Sequence, residues 1–322
     1  MRDWLDQARL QELARRIRPT GSLIGAFPLE GGISATMTAI DIALPGGDVE
    51  RFVVRQHGEH GLRNNAGIAD IEFALLRLLE QAEVPAQRPI FLDKLHEFSS
   101  NPLLVISYVD GSIDVAPADE RSVCDQLATY LARLHAITAA TYDLTFLPEI
   151  DARLGHMLDS ISTEGLLSPT LVTLRTALAP IWPPTQSHIP VVLHGDFWPG
   201  NLLWHGGQLA AAIDWEDAAA GNPLFDVAST RLELLWLFGE DAKNFFTDRY
   251  LSLTALDPAG LPFWDLCAAI DPALHLSTWG KEPVVERHMH AELAHFVDRA
   301  ATALGSTVGT KVETRADSSS IR

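Results

Sequence analysis

The chain has 322 residues, 47% of them hydrophobic, which is enough to bury a sizeable core in one large domain or two smaller ones. Its formal net charge of −18 disfavours general nucleic-acid binding and favours a cationic small substrate, although most acidic proteins are merely soluble. Cys124 and Cys267 form neither a disulfide framework nor a C-x-x-C motif. Since the sequence has no signal-peptide pattern and no membrane-length apolar run, we expect a cytoplasmic protein with no nucleic-acid or membrane partner.

The N-terminal part of the chain combines strand patterns with helical ones. Helical spacing of leucines predicts a helix over residues 4–17. Residues 37–44 and 52–55, joined by a Pro-Gly-Gly turn, predict a β-hairpin that a glycine pair precedes. A stripe of apolar residues predicts a strong helix from Ala69 to Gln81, and the run from Pro102 predicts a strand. Residues 1–108 therefore read as a small β-rich lobe.

Helical patterns dominate the rest of the chain. Helices are predicted over 122–137, in pieces over 152–180, and over 232–238, 261–270 and 288–304. A short strand at 191–193 leads into a polar loop, and a hairpin follows at 202–204 and 209–213. We therefore predict an α+β protein with a larger, mostly helical lobe over 109–304. Residues 305–322, rich in Ser, Thr and charge, are predicted to be a disordered tail.

The polar loop H-G-D-F-W-P-G-N, residues 194–201, carries the chemistry. Asp196 and Asn201 stand five residues apart, and Asp214 follows after the hairpin. Carboxylate and carboxamide oxygens suit Mg²⁺, and the remaining carboxylate can accept a proton from a hydroxyl. The pattern D-x-x-x-x-N followed by a separate Asp is the arrangement of kinase catalytic loops. The motif thus predicts phosphoryl transfer to an alcohol.

These residues and other polar residues also have purely structural interpretations. An Asp near an Asn in a Pro-Gly loop usually serves the turn itself, but the register of Asp196 with His194, Asn201 and Asp214 favours catalysis. Histidines at 288, 290 and 295 lack the spacing of a helical metal site, so a solvated helix is expected there. The sequence contains no Walker A motif, no G-x-S-x-G and no A-P-E element, which disfavours P-loop kinases, α/β-hydrolases and protein kinases.

Several separated segments together resemble a known family. They are L-E-G-G-I-S-A-T from Leu29, L-A-T-Y-L-A-R-L-H ending at His135, H-G-D-F-W-P-G-N-L-L-W, I-D-W-E-D-A and G-N-P-L-F-D-V-A from Gly221. In this order, over about residues 27–236, they resemble the aminoglycoside phosphotransferases and their choline kinase and fructosamine kinase relatives. The resemblance implies a two-lobed, protein-kinase-like fold.

The resemblance also implies roles for the residues around the loop. Asp196 would be the catalytic base, and Asn201 and Asp214 would hold Mg²⁺. His194 would brace the loop, and Asp226 would tie it in place as a structural residue.

A second group of residues would bind the nucleotide. Arg55 takes the place of the strand lysine that contacts the phosphates, with Glu72 as its helix partner. Ser34 and backbone N–H groups would cradle the phosphates, and residues 105–111, including Tyr108, would pair with adenine or guanine. Arg and Lys are not equivalent at a phosphate, yet we expect Arg55 to contact it.

These inferences predict an ATP- or GTP-dependent kinase that phosphorylates a hydroxyl of a small molecule. The acceptor is expected to be aminoglycoside-like, or another amino-sugar or alcohol. The alternative is a catalytically weak nucleotide-binding regulatory module. Its only support is the presence of Arg55 where the family usually has a lysine. The sequence predicts neither the particular acceptor, nor the choice between ATP and GTP, nor the oligomeric state.

Overall fold

The computed structural model describes residues 5–29, 35–58, 62, 67–113, 119–161, 168–184 and 188–317. The chain divides into two compact units, residues 1–115 with 199–216 and residues 116–198 with 217–322. The first unit is built on an antiparallel sheet and the second on helices, as the predicted α+β class requires. Within the described residues, no helix is both long and apolar enough to cross a membrane.

The first unit contains a five-stranded antiparallel sheet in the order β1-β2-β3-β5-β4. Its elements are α1 (Gln7–Ile17), β1 (Ser22–Pro28), β2 (Ala35–Ala43), β3 (Val49–His57), α2 (Ile68–Gln81), β4 (Pro89–Leu92) and β5 (Leu103–Ser107). The α1 helix starts three residues later than the apolar spacing suggests, because Asp6 caps it by accepting the Arg9 N–H at 2.8 Å. Strands β1 and β4 were not predicted: β1 contains a glycine within its apolar run, and the apolar run of β4 is only four residues long.

The core of the first unit lies between α1 and the sheet. Leu13 and Ala14 of α1 pack with Ile40, Ile42 and Val105 in one buried cluster. The helix contributes one apolar stripe, which repeats every 3.6 residues, and the strands contribute every second residue. The core of this unit is formed where these two apolar faces pack together.

The hairpin of β7 (Leu202–His205) and β8 (Gln208–Ala212) belongs to the first unit. Bridges from Ser112 to Trp204 and from Ala86 to Ala212 attach it there. The sequence placed this hairpin within the C-terminal lobe of residues 109–304. Chain order does not reveal these long-range backbone pairs, which is why the division of the structure differs from the predicted boundary.

The second unit is mostly helical. Its elements are α3 (Glu120–Leu134), α4 (Ile150–Ser160), α5 (Pro169–Leu178), β6 (Val191–Leu193), β9 (Ala219–Gly221), α6 (Leu224–Phe238), α7 (Glu240–Thr254), α8 (Leu261–Ala268), α9 (Ile270–His275) and α10 (Pro283–Asp317). Strands β6 and β9 form an antiparallel pair, and His194 follows directly after the last paired residue of β6, Leu193. A disordered tail was predicted over 305–322, but residues 305–317 continue α10 as helical backbone, because the helix extends from a part that buries Leu293 and Val297. Residues 318–322 lie outside the described residues.

Candidate active site

Arg55 of β3 is buried within the first unit among three carboxylates. Its Nε lies 3.3 Å from Oε2 of Glu72 on α2, and its Nη2 donates to Asp214 Oδ1 at 3.0 Å. The same Nη2 also contacts Glu216, a partner that the sequence analysis missed. The predicted pair of Arg55 and Glu72 is therefore present. The guanidinium contacts Glu72 through Nε and both Asp214 and Glu216 through Nη2. The ammonium of a lysine has a single nitrogen and could not contact carboxylates through two separate nitrogens.

The electrostatics of this cluster favour the charged forms of Arg55 and Glu72. Burial opposes the charge on Arg55, but Glu72, Asp214 and Glu216 together raise the pKa of its guanidinium. Burial likewise opposes ionisation of Glu72, yet Arg55 and His57 hold the pKa of this carboxyl below its ordinary value. His57, two residues after Arg55 on the same face of β3, lies 3.2 Å from Glu72 Oε2.

The β7–β8 hairpin positions both predicted metal ligands. Leu202 pairs with Ala212, so Asn201 and Asp214 flank the open end of the hairpin. The Ile213 N–H donates to the Asn201 carbonyl at 2.9 Å, which holds the two segments together next to both side chains. Asp214 adopts a positive φ of 63°. One carboxylate and one carboxamide are donors of the type that Mg²⁺ takes when phosphate oxygens and water complete its shell.

The predicted hinge, residues 105–111, begins within β5 and continues beyond its end. Ser107 is the last residue of the strand, and the backbone N–H of Tyr108 donates to the Arg51 carbonyl at 3.3 Å. The Arg51 guanidinium lies over the Tyr108 ring, 5.2 Å from its centroid. A nucleobase at 105–111 would therefore use other backbone groups than the Tyr108 amide. Ser34, the predicted phosphate contact, lies outside the described residues.

Asp226 fixes the first half of the H-G-D-F-W-P-G-N loop in the second unit. Its carboxylate, fully buried on α6, accepts the N–H of His194 at 2.7 Å and the N–H of Gly195 at 3.0 Å. His135 Nε2 lies 3.2 Å from the same carboxylate, and Tyr250 Oη lies 2.7 Å from the other ring nitrogen. Despite burial, the hydrogen bond from His135 and the nearby charges hold the pKa of Asp226 below its ordinary value.

The side chains of the loop are anchored as well. The His194 ring is buried, packs edge-on against Phe197 and accepts the Asp196 N–H at Nδ1, 3.4 Å away. Phe197 stacks on Tyr130, and its carbonyl accepts the Thr230 hydroxyl proton at 2.9 Å. These contacts give His194 the bracing position that the resemblance implies, and they leave Asp196 half-buried at the turn of the loop.

Gly195 is needed at the sharpest point of the loop. It has a φ of +84°, and a Cβ at this position would overlap the Asp217 carbonyl oxygen. We expect Gly195→Ala to destabilise the protein by about 3 kcal/mol, the sum of left-handed strain and an overlap with backbone. Gly206→Ala is the matched control, because Gly206 also has a positive φ, +57°, but nothing within 4 Å of its Cβ position. Equal losses for both variants in urea unfolding would contradict the overlap.

Asp196 lines a cavity of about 310 Å³ within the second unit. Among the described residues, the wall carries four carboxyl groups, those of Asp196, Asp217, Glu233 and Asp271, against one guanidinium, that of Arg153. Arg153 donates to Asp217 Oδ1 at 2.7 Å. Apolar side chains complete the wall: Leu154, Met157, Phe225, Leu232, Pro272 and Trp279. We call this cavity the acceptor pocket.

Glu233, like Arg153 and Asp271, is a charged residue of the acceptor pocket that the sequence analysis missed. It lies on α6, seven residues after Asp226, and burial together with the nearby Asp196 raises the pKa of its carboxyl to about 8, against the opposing effect of Lys281. The sequence held a weak signal for it, since Glu233 is a carboxylate within an otherwise apolar helical run. Only the fold shows that this carboxylate faces the same cavity as Asp196.

Comparison with known proteins identifies the family. The profile of the phosphotransferase enzyme family matches residues 28–265, so the chain belongs to this family. Acyl-CoA dehydrogenase family member 11 of Rattus norvegicus is 24% identical over 204 residues, which are 58% of this chain and 26% of the relative. The chain thus matches about a quarter of the length of that relative. Homoserine kinase of Gluconobacter oxydans is 29% identical over 140 residues, 42% of this chain and 43% of the kinase.

Solved structures show the same fold. A putative aminoglycoside phosphotransferase from Ralstonia eutropha superposes with a TM-score of 0.69 at 15% identity, covering 94% of this chain and 99% of the other. The GDP and kanamycin complex of APH(2″)-IIIa superposes with a TM-score of 0.61 at 17% identity, covering 94% and 99%. The predicted kinase-like fold, with a β-rich and a helical part, is confirmed by these similarities.

Proposed function

We propose that this protein transfers the γ-phosphoryl group of ATP or GTP to a hydroxyl of a small, amine-bearing molecule. The observation that carries the proposal is the position of Asp196, half-buried on a loop that Asp226 pins and facing a cavity with room for a small acceptor. Asp196 accepts the hydroxyl proton as the acceptor oxygen forms its bond to the γ-phosphorus. The bond from that phosphorus to the bridging oxygen breaks, and the nucleoside diphosphate leaves.

The first unit supplies groups suited to a nucleoside triphosphate. Arg55 is a buried cation whose carboxylate partners fix its orientation, so it can meet phosphate oxygens without first being ordered. Asn201 and Asp214 offer the oxygen donors for Mg²⁺, which neutralises phosphate charge when bound. The resemblance adds the backbone of 105–111 for the base and Ser34 for the phosphates. The relative with GDP and kanamycin bound supports a nucleotide and a small acceptor as the two substrates.

The acceptor pocket supports a cationic acceptor. Arg153 pairs with Asp217, and Glu233 keeps its proton up to about pH 8, which leaves Asp196 and Asp271 as the carboxylates of the pocket to be compensated. An ammonium group on the acceptor would compensate the remaining negative charge, whereas an anionic acceptor would be repelled. Homoserine kinase and the kanamycin-binding relative are named for amine-bearing substrates, which agrees with this choice.

One experiment tests the activity and its alternative together. ADP and GDP release would be followed with Mg²⁺ across a panel of aminoglycosides, amino-sugars, amino acid alcohols such as homoserine, choline-like alcohols, macrolides and ketosamines. We expect an amine-bearing alcohol to stimulate release. Nucleotide binding without stimulation by any compound would favour the regulatory module, and the absence of nucleotide binding would contradict the kinase proposal.

Glu233 is expected to make both stability and acceptor affinity depend on pH. The folded protein keeps the proton of Glu233 up to about pH 8, whereas the unfolded chain loses it at lower pH, so the free energy of unfolding falls as the pH rises from the ordinary pKa of a glutamate to about 8 and then levels off. Glu233→Gln should therefore lose less thermal stability than the wild type between pH 6 and pH 9. Above about pH 8, where Glu233 is ionised, Glu233→Gln should also raise KM for the amine-bearing acceptor about tenfold or more, because the charged hydrogen bond to the ammonium group is lost.

Glu80→Gln is the matched control for Glu233→Gln, since Glu80 is exposed on α2 in the first unit. It should follow the wild type in both measurements. If Glu233→Gln also followed the wild-type curve from pH 6 to pH 9, the carboxyl would not be titrating in this range, and its assigned environment would be wrong.

A further inference from the structure

A second cavity, of about 300 Å³, lies in the helical unit away from the acceptor pocket. Helix α6 separates the two: Ser229 and Glu233 face the acceptor pocket, whereas Arg231 and Leu235 line the second cavity. Residues of α7, α8 and α10 complete its wall. Because the side chains of an α-helix repeat every 3.6 residues, these two sets lie on different faces of α6.

Cations from three helices meet at this second cavity, which we call the basic cavity. Arg231 of α6, Lys243 of α7 and Arg299 of α10 line it, together with the carboxylates of Glu240 and Asp265. The cavity thus has one positive charge in excess within a chain of net charge −18. His295 also lines it and adds a further positive charge when protonated.

The existing ion pairs are shared between these cations. Asp265 accepts from Arg231 Nε and Nη2, both at 3.0 Å. Glu240 Oε1 accepts from Lys243 Nζ at 2.7 Å and from Arg299 Nη1 at 2.9 Å. One carboxylate oxygen therefore serves two cations. Lys243 is the most buried of the three, with 5% of its side chain exposed, while Arg299 is 55% exposed and lies at the mouth.

The positive charge at Lys243 is incompletely compensated. Burial lowers the pKa of its ammonium, and repulsion by Arg231 and Arg299 lowers it further, against the opposing effect of Glu240. A closed structural network would fill its own space, whereas here the charged groups surround a cavity large enough for more than water. An added anion would compensate the excess charge and accept hydrogen bonds from guanidinium and ammonium groups.

We propose that the basic cavity binds a small phosphate-bearing anion, either inorganic phosphate or the phosphate group of a small metabolite. Two guanidinium groups and one ammonium from different helices suit an anion with several oxygens spread over a tetrahedron. Arg299 gives access from solvent, and Lys243 and Arg231 form the floor. The site is independent of the proposed kinase activity, because none of its groups faces the acceptor pocket.

Calorimetric titration of the full chain with inorganic phosphate tests this site. Titrations would run at constant ionic strength, with sulfate and chloride in parallel and thermal unfolding as a second readout. We expect phosphate to bind and to raise Tm in the wild type. Arg299→Gln and Lys243→Met should each weaken binding about tenfold, since each removes one charged donor. Arg287→Gln, an exposed arginine of α10 outside the cavity, should bind as the wild type does.

Each other outcome overturns the proposal. A purely structural network predicts that Arg299→Gln lowers Tm but keeps the wild-type phosphate affinity, which would place any bound anion elsewhere, including the proposed nucleotide site. Equal effects of phosphate and chloride would reveal general salt screening instead of a site. Absence of phosphate binding to the wild type would exclude the anion directly. Kinase activity enters none of these readouts, so the two proposals fail separately.

Discussion

Replacing Asp196 with alanine is expected to lower acceptor-dependent release of nucleoside diphosphate by about 10²–10⁴-fold, the usual effect of removing a positioned general base. Asp196 lines the acceptor pocket in the helical unit, whereas Arg55, Asn201 and Asp214 belong to the other unit. The substitution should therefore leave the nucleotide dissociation constant within a few-fold of the wild-type value. Steady-state kinetics and nucleotide titration of the same preparations would separate the two effects.

The control for this substitution is Asp159→Ala, which removes an exposed carboxylate from α4. It should retain wild-type turnover. An Asp196→Ala variant that kept its acceptor-dependent turnover would show that another group accepts the proton. A variant that lost nucleotide binding together with turnover would instead indicate damage to the fold, which circular dichroism and Tm would detect.

Removal of Asp226 is expected to cause the largest loss of stability. Its buried carboxylate holds two consecutive backbone N–H groups of the loop and faces His135, so Asp226→Ala leaves several buried polar groups without a partner. We expect the free energy of unfolding to fall by about 3–5 kcal/mol, the typical result of breaking a buried ionic network from one side. Urea unfolding at pH 7 would measure it, with the exposed Asp248→Ala of α7 as control.

The loss at Asp226 should depend on pH with a defined sign. Because the folded protein holds the pKa of Asp226 below its ordinary value, this carboxyl stabilises the fold above the pKa of the unfolded chain. That contribution disappears as the pH falls through the folded-state pKa. The difference between wild type and Asp226→Ala should thus be complete at pH 7 and smaller in strong acid. A difference that grew on acidification would mean that Asp226 is protonated in the folded protein.

The sequence predicted those parts of the fold whose signals are local. The α2 and α3 helices carry one apolar stripe each, and the β7–β8 hairpin has two apolar runs around a glycine turn. Helix α7 was missed because it mixes Asn, Thr, Asp and Ser with its apolar residues, and its stability comes from packing of Phe246 and Tyr250. Helix α6 starts at Leu224, eight residues before its predicted start at Leu232. The additional residues include Asp226, whose carboxylate holds the loop.

The candidate site was predictable where its residues share one motif. His194, Asp196 and Asn201 stand in one segment, and the resemblance added Arg55, Glu72, Asp214 and Asp226. The partners Glu216 and Glu233 were not predicted, because a carboxylate acquires its role from what it faces across the fold. The same holds for the basic cavity, where α6, α7, α8 and α10 contribute charges that are far apart in the chain. Nucleotide and acceptor roles of these residues stay predictions.

Helix α6 carries three residues with different contacts within about two turns. Asp226 secures the H-G-D-F-W-P-G-N loop, Glu233 lines the cavity that we propose for the acceptor, and Arg231 lines the basic cavity. A shift or rotation of this helix would disturb all three, so laboratory evolution toward a new acceptor has little freedom to move it. Variants with altered selectivity should instead accumulate at neighbouring positions such as Met157 and Trp279, which line the pocket from other segments. Acceptor selectivity would then change through substitution of pocket side chains, while the backbone of α6 stays in the same position.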